Sequence, residues 1–328
     1  MKSESFKSYF IFFIGLLTFF WVFKFFDGLE SVNYIIDNKN SLYLLILAHI
    51  PTLYFDSICW RLLMMKKSIS ITWCFVITWI SQTAGRVIPT GMISGEFVRV
   101  YLGAKRGLSW AESSSTVIAD LALASISLLF MVVFSILILF FSSGGDFISD
   151  KNFGYILLSI SLLLVFSAMF VFVIRKRILS LLIRKSKKLT FFHLQRKTLI
   201  SLIKFDNALY KLSFKLKILF LAIFFRLLGW LGGSFEIYIF FSLIGIDVSF
   251  QEVIVIESFT AIIKSIVFFI PAGIGVQEFA FVIAGDYVGL SGSVSLSAAL
   301  GRRIREFFVG MPAIISWYYM YRRNLNTN

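Results

Sequence analysis

Residues 88–97 read IPTGMISGEF, and residues 270–279 read IPAGIGVQEF. Both stretches interrupt long apolar runs with proline, glycine and a carboxylate, residue types that a helix in lipid normally avoids. Aligned without a gap over 88–109 and 270–291, they share ten identities in twenty-two positions at a constant offset of 182. Composition alone predicts roughly two, so the stretches are copies of an internal repeat.

The surrounding chain is built for lipid. Of its 328 residues 58% are hydrophobic, 18% aromatic and only 15% charged, and its mean hydropathy is +0.86. A soluble domain carries about 25% charged residues, so the composition is that of an integral membrane protein. Cys59 and Cys74 both fall in or beside apolar runs, which leaves no disulfide framework and no CxxC metal motif. His49 and His193 have no Cys or second His nearby and read as an ordinary helix-face or loop histidine each. No cofactor is expected.

Six segments, near 7–26, 41–63, 112–141, 153–174, 218–243 and 294–321, are long enough to cross the hydrocarbon as helices. The first follows Lys2 and Lys7 like a signal peptide, but its length and the lack of a small-residue cleavage site before Asp27 make it a retained span. Charge orients the set. The segment 175–217 carries thirteen Lys or Arg against the single acid Asp206, whereas the loops at 27–40, 142–152 and 244–252 are acidic with only two lysines. The positive-inside rule places the basic segment and both termini in the cytoplasm, with Lys66, Lys67, Lys105, Arg106, Arg322 and Arg323 marking further cytoplasmic ends. A second use for the basic segment is attraction of anionic headgroups, at about 1 kcal/mol per basic residue. Nucleic acid is not expected as a partner: the net charge of +14 is concentrated at membrane ends and no nucleic-acid motif accompanies it.

Two apolar stretches do not fit the span count. Lys67 and Lys105 are both inside, yet the arms between them, 71–84 and 94–104, are too short to cross. Helices of that size rise roughly 15–20 Å against a ~30 Å core, so the region reads as a re-entrant hairpin from the cytoplasm. The arms 253–268 and 276–290 form a second hairpin entering from outside. Each half then holds three spans and one hairpin, and an odd number of spans turns the second half upside down. The expected fold is an all-α polytopic membrane protein in a single domain over 1–328. It consists of two inverted repeats, at about 7–141 and 153–321, each with three transmembrane helices plus one re-entrant hairpin.

Broken helices are tolerated at membrane depth only where protein or a water-filled cavity satisfies the freed backbone groups. Pro89, Gly91, Pro271, Gly273 and Gly275 make the hairpin tips, and Glu96 and Glu278 fall at equivalent places in the half-helices that follow. The unpaired N–H groups and the dipole of such a half-helix favour an anionic group, for example a phosphate. A single copy reads as a turn with a capping Glu; two copies at matched spacing, beside other buried charges, read as a functional site. Those charges are Arg86, Arg99, Asp120, Arg226, Glu236, Glu257, Lys264, Arg302, Arg303, Arg305 and Glu306. Each costs about 2.5–3.5 kcal/mol at a helix centre, which implies pairing around a polar cavity. In the run GRRIREF, Arg302 and Glu306 are four apart and are expected to neutralise each other, with Arg305 on the same face. Arg226, Glu236, Glu257 and Lys264 read equally well as structural ion pairs or snorkelling side chains.

The runs PTGMISGEFVR at 89–99, GLS at 107–109 and Asp120, with IPAGIGVQE at 270–278, GLS at 289–291 and RRIREFFVGMPAIISW at 302–317, resemble the transmembrane region of lysylphosphatidylglycerol synthetases and their stand-alone flippase-like relatives. The likeness spans nearly the whole chain and is greatest to the branch found in hopanoid-biosynthesis clusters. It implies a lipid translocase that moves a polar-headed, anionic or phosphate-bearing lipid between the leaflets of a bacterial-type cytoplasmic membrane. Membrane lipids are the implied partners, with self-association or a lipid-synthesising enzyme open as protein partners. No lipid-aminoacylating domain follows Tyr321 in this sequence, so lipid synthesis is not expected. The sequence departs from the family pattern where Ala119 precedes Asp120 and where no basic residue follows Pro89 within the tip, which makes Arg99 or Arg86 the first-half candidate for a headgroup. A secondary transporter of a small soluble anion fits the same repeats. A membrane-embedded lipid-phosphate enzyme fits less well, because no Ser-His-Asp, His-rich or Asp-rich motif supplies its chemistry.

Overall fold

The structure is a computed structural model that describes residues 2–65, 68–88, 93–142, 153–186, 196–267 and 270–325. Pro89, Gly91, Lys66, Lys67, His193 and the acidic loop 143–152 lie outside the described residues. Every regular element among the described residues is helical: α1 (Lys2–Phe25), α2 (Gly28–Asp37), α3 (Tyr43–Ala48), α4 (Ile50–Leu62), α5 (Ile71–Val87), α6 (Ile93–Lys105), α7 (Trp110–Ser142), α8 (Phe153–Arg175), α9 (Ile178–Ser186), α10 (Arg196–Leu212), α11 (Leu216–Leu243), α12 (Phe250–Ile266), α13 (Val276–Asp286) and α14 (Gly292–Leu325). Short 3-10 turns at Lys39–Ser41 and Pro271–Gly273 complete them.

Among the described residues, three of the six expected spans are long and apolar enough to cross a membrane unbroken: Lys39–Leu62, Trp110–Phe141 and Leu216–Leu243. The first expected span, near 7–26, falls on α1, and α2 forms where the sequence predicts an acidic loop; the two make a bent pair, Ile11–Phe25 and Gly28–Asp37, set at 81°. Asp27 makes the bend in the left-handed backbone region, with φ 49°. The expected last span is the 34-residue α14, whose Arg302, Arg303, Arg305, Glu306 and Pro312 lower its apolar character.

The arms stay too short to cross, as the sequence predicts, although α5 and α6 run a few residues beyond 71–84 and 94–104. α5 and α6 have 17 and 13 residues, α12 and α13 have 17 and 11. At 1.5 Å per residue the longest rises about 25 Å, less than a ~30 Å core. Within each pair the arms pack on each other. The elements also recur at the offset of the repeat: α5, α6 and α7 shifted by 182 fall on α12, α13 and α14, and the stretch 43–62 falls on α11.

α4 and α11 lie in close contact. Gly229 and Gly232 let α4 approach, since a Cβ there would sit 2.7 Å from Asp56 Oδ1 and 2.8 Å from Thr52 Oγ1. α5 packs on α14, and α12 packs on α7. In the basic segment, α10 lies against α7, and its buried Asp206 accepts the Ser180 backbone N–H of α9 at 3.2 Å. The lone acid of that segment therefore sits at the positive end of a helix dipole.

Candidate functional site

Where α4, α5, α6, α11, α12 and α14 meet, they line a partly open cavity of about 260 Å³. Six of the candidates named from sequence line it: Arg86, Glu96, Arg99, Arg302, Arg305 and Glu306. So do Arg226, Glu236, Glu257 and Lys264, together with His49, Asp56 and Trp230. Asp120 stands behind the wall, and Pro271, Gly273, Gly275 and Glu278 belong to the second hairpin outside the lining.

Two clusters of charge face this space. In the first, Arg226 Nη1 donates to Asp56 Oδ1 at 2.6 Å, and its Nη2 pairs with Asp120 Oδ1. Arg99 Nη1 donates to Asp120 Oδ2 at 2.6 Å and lies 3.8 Å from Glu96 Oε2. Gln82 Nε2 donates to Asp56 Oδ2 at 3.0 Å, and Cys59 Sγ donates to Asp120 Oδ1 at 3.2 Å. Asp120 thus bridges both guanidiniums from behind the lining.

The second cluster sits on α14 and its neighbours. Arg302 Nη2 donates to Glu257 Oε2 at 2.7 Å, and Arg305 Nε donates to Glu236 Oε1 at 2.8 Å. His49 Nδ1 lies 3.0 Å from Glu236 Oε2. Glu306 takes Arg86 Nε at 3.3 Å and Arg303 Nη1 at 3.4 Å. The expected pairing of Arg302 with Glu306 along α14 is therefore not made. Helical spacing places these side chains near one another, but Glu257 on α12 offers Arg302 both carboxylate oxygens, a geometry that a guanidinium fork favours.

Arg303 holds the second hairpin. Its Nε donates to Glu278 Oε1 at 2.7 Å, and its Nη1 and Nη2 donate to the carbonyls of Ala272 and Gly273 at 2.7 and 2.9 Å. Those carbonyls belong to a tip whose backbone turns left-handed at Ala272 (φ 55°), Gly273 (φ 59°) and Gly275 (φ 77°). Glu278 Oε2 also accepts the Gly275 N–H at 2.8 Å. For Glu278 the capping role weighed from sequence is thus what the geometry has. Its equivalent Glu96 differs, because its Oε2 has no hydrogen-bond partner among the described residues and it faces the cavity.

Together Arg86, Arg99, Arg226, Lys264, Arg302, Arg303 and Arg305 stand against Asp56, Glu96, Asp120, Glu236, Glu257, Glu278 and Glu306, seven charges of each sign. The signs are unevenly spread. The cluster of Arg99 and Arg226 holds three carboxylates to two cations, while the cluster on α14 holds one cation more than its carboxylates. Several donors remain free at the cavity: Arg302 Nε, Arg305 Nη1, Arg226 Nε and Trp230 Nε1 have no partner among the described residues. An oxyanion is the ligand that such donors suit.

Residues 9–313 match the family described as Lysylphosphatidylglycerol synthase TM region. The chain belongs to that family. Searches of curated proteins and of solved structures find no match to it. As a lysylphosphatidylglycerol synthase TM region, it is a membrane protein of a lipid-related family, and its charged cavity lies within the matched residues.

Of the two titratable lining residues not among the sequence candidates, Asp56 carries a signal in the sequence and His49 carries none. Asp56 is a lone carboxylate in the apolar run 41–63, and such a residue in a span is a functional candidate by default. His49 precedes Pro51 in the same run. The histidine falls at the junction of α3 and α4.

Proposed function

We propose that the protein is a lipid translocase that moves a lipid with an anionic or phosphate-bearing headgroup between the leaflets of the bacterial cytoplasmic membrane, without a chemical step. The observation that carries this reading is the set of guanidinium N–H groups, Arg302 Nε, Arg305 Nη1 and Arg226 Nε, left free at the cavity. Burying an unpaired donor costs about 1–3 kcal/mol or more, so three of them are retained for a ligand. Membership of the family favours a lipid as that ligand. The helices that carry the lining charges Arg86, Glu96 and Glu306 also bear exposed apolar side chains, Val87, Phe97 and Phe307 at 60%, 71% and 62%, as helices set against lipid do.

The same reading takes the two halves as inverted repeats with both termini in the cytoplasm. Reciprocal packing supports it, since the first hairpin lies on the last helix of the second half and the second hairpin lies on the last helix of the first. So do equivalent contacts: a Cβ added at Gly103 would crowd Ser113 Oγ, and one added at Gly285 would crowd Ser295 Oγ, both pairs 182 residues apart.

The test is a leaflet-specific lipid assay on protein reconstituted in vesicles. Fluorescent phosphatidylglycerol should exchange between leaflets faster than in protein-free vesicles, and phosphatidylcholine should gain less. Equal rates for phosphatidylglycerol with and without protein sink the reading for that lipid; the likeness to the hopanoid-cluster branch makes hopanoid-type amphiphiles the next substrates to assay.

A further inference from the structure

The anion-site reading leaves one lining group unused. His49 is 4% exposed, and its ring is fixed by Glu236, whose Oε2 lies 3.0 Å from Nδ1. The other oxygen of Glu236 accepts from Arg305 Nε at 2.8 Å. A carboxylate at Nδ1 selects the tautomer that carries its hydrogen there, so Nε2 presents a lone pair. That atom has no partner among the described residues, and the residue lines the cavity. The charged groups that face the ring are Glu236 from α11, Arg305 from α14 and Arg86 from α5.

Counted with every carboxylate ionised and His49 neutral, the network as a whole holds seven formal charges of each sign, although the α14 cluster alone has one cation in excess. On that count an anion adds one negative charge to the network in a site of low dielectric, which is costly. It also brings an oxygen acceptor towards the Nε2 lone pair. A proton on Nε2 removes both penalties: it restores neutrality and turns an acceptor into a donor, while Glu236 stabilises the imidazolium through Nδ1–H. We propose that His49 takes up one proton when a singly charged oxyanion, a phosphodiester headgroup by its chemistry, occupies the cavity, so that anion and proton bind together. This rests on the anion-site reading above.

Linkage fixes the sign. Where the free site is neutral and the occupied site protonated, apparent affinity rises as pH falls, by up to about tenfold per pH unit. The experiment is isothermal titration of the purified, detergent-solubilised protein with dihexanoyl phosphatidylglycerol, in two buffers of equal pH and different ionisation enthalpy. Dimethyl phosphate serves as the tail-free phosphodiester. About one proton taken up per bound phosphatidylglycerol is expected near pH 7, with affinity rising from pH 8 to pH 6. His49→Gln should bind more weakly, without proton uptake or pH dependence. Equal binding of dimethyl phosphate would assign the site to a free anion rather than a headgroup and overturn that part of the proposal.

Binding without proton uptake in the wild type overturns this inference and leaves the anion site standing. Uptake that persists in His49→Gln but vanishes in Glu96→Gln assigns the proton to Glu96 instead. If neither phosphodiester binds at any pH, the anion-site reading fails and takes the inference with it. Should His49→Gln not fold, His193→Gln leaves His49 as the sole histidine of the two. Its 15N imidazole signal then reports directly whether Nε2 gains a proton on ligand addition.

Discussion

Replacing Arg303 should release the second hairpin. The guanidinium donates to Glu278 at 2.7 Å and to the Ala272 and Gly273 carbonyls at 2.7 and 2.9 Å. Glu278 is fully buried. Arg303→Met leaves that carboxylate with the Gly275 N–H as its one remaining hydrogen bond among the described residues, and an uncompensated buried charge costs about 3–5 kcal/mol. The two tip carbonyls add about 1 kcal/mol each when they lose their donors, though such losses do not add in full. A total of about 5 kcal/mol follows from those terms. Arg303→Lys should cost about 1–2 kcal/mol, because one ammonium can meet Glu278 but cannot fork to both carbonyls. The combination of Arg303→Met with Glu278→Gln should recover part of the loss by removing the stranded charge. Thermal unfolding of the detergent-solubilised protein, followed by tryptophan fluorescence, ranks the variants. An Arg303→Met protein that melts with the wild type would show the tip to be held by other groups and refute the assignment.

Three further outcomes are expected. Ala272 sits at φ 55°, a backbone region that costs a non-glycine residue about 1 kcal/mol, so Ala272→Gly should raise the unfolding temperature, and a fall would show that its methyl packs usefully. Gly103→Ala and Gly285→Ala should each destabilise by about 1–3 kcal/mol through overpacking against Ser113 and Ser295, whereas Gly154→Ala, with open space around it, should not; the three are compared by the same melt. Arg302→Lys keeps a cation for Glu257 but gives up the free Nε donor, so lipid exchange should fall by tenfold or more, at about 1.5–3 kcal/mol for a charged contact, with the melting temperature little changed; transport at the wild-type rate would make the residue structural.

The two hairpins were legible because proline, glycine and glutamate at fixed spacing leave a mark that periodicity does not blur. Buried charge was legible for a related reason: in an apolar chain each charged residue is expensive, so its presence within a span is information. What the chain order hides is partnership. Arg302 finds Glu257, Arg305 finds Glu236 and Arg226 finds Asp56, partners 45, 69 and 170 residues away. The local rule of four residues pointed Arg302 at Glu306 instead. It describes neighbours on an isolated helix and is blind to a carboxylate presented by another helix. His49 was hidden differently, since a lone histidine in an apolar run is ordinary until Glu236 is seen to fix its ring.

The repeat also explains how one cavity acquires a polarity. Positions 99 and 120 correspond to 281 and 302 at the offset of 182. In the first half they are Arg99 and Asp120, joined at 2.6 Å as an ion pair. In the second they are Phe281 and Arg302, with the guanidinium 5.0 Å from the ring centroid. The cation–π contact occupies the same pair of positions but leaves the arginine without a carboxylate there. Glu257 supplies one from α12 and still leaves Arg302 Nε free. Self-neutralisation in one half and a displaced pairing in the other therefore separate a carboxylate-rich cluster from a guanidinium-rich one. A perfectly symmetric pair of repeats would have produced two equivalent ends with no preference for an anion at either. The exchange of Asp120 for Arg302 and of Arg99 for Phe281 breaks that equivalence, and under the proposed function an anionic headgroup is expected on the α14 side of the cavity, where His49 and Arg305 share Glu236.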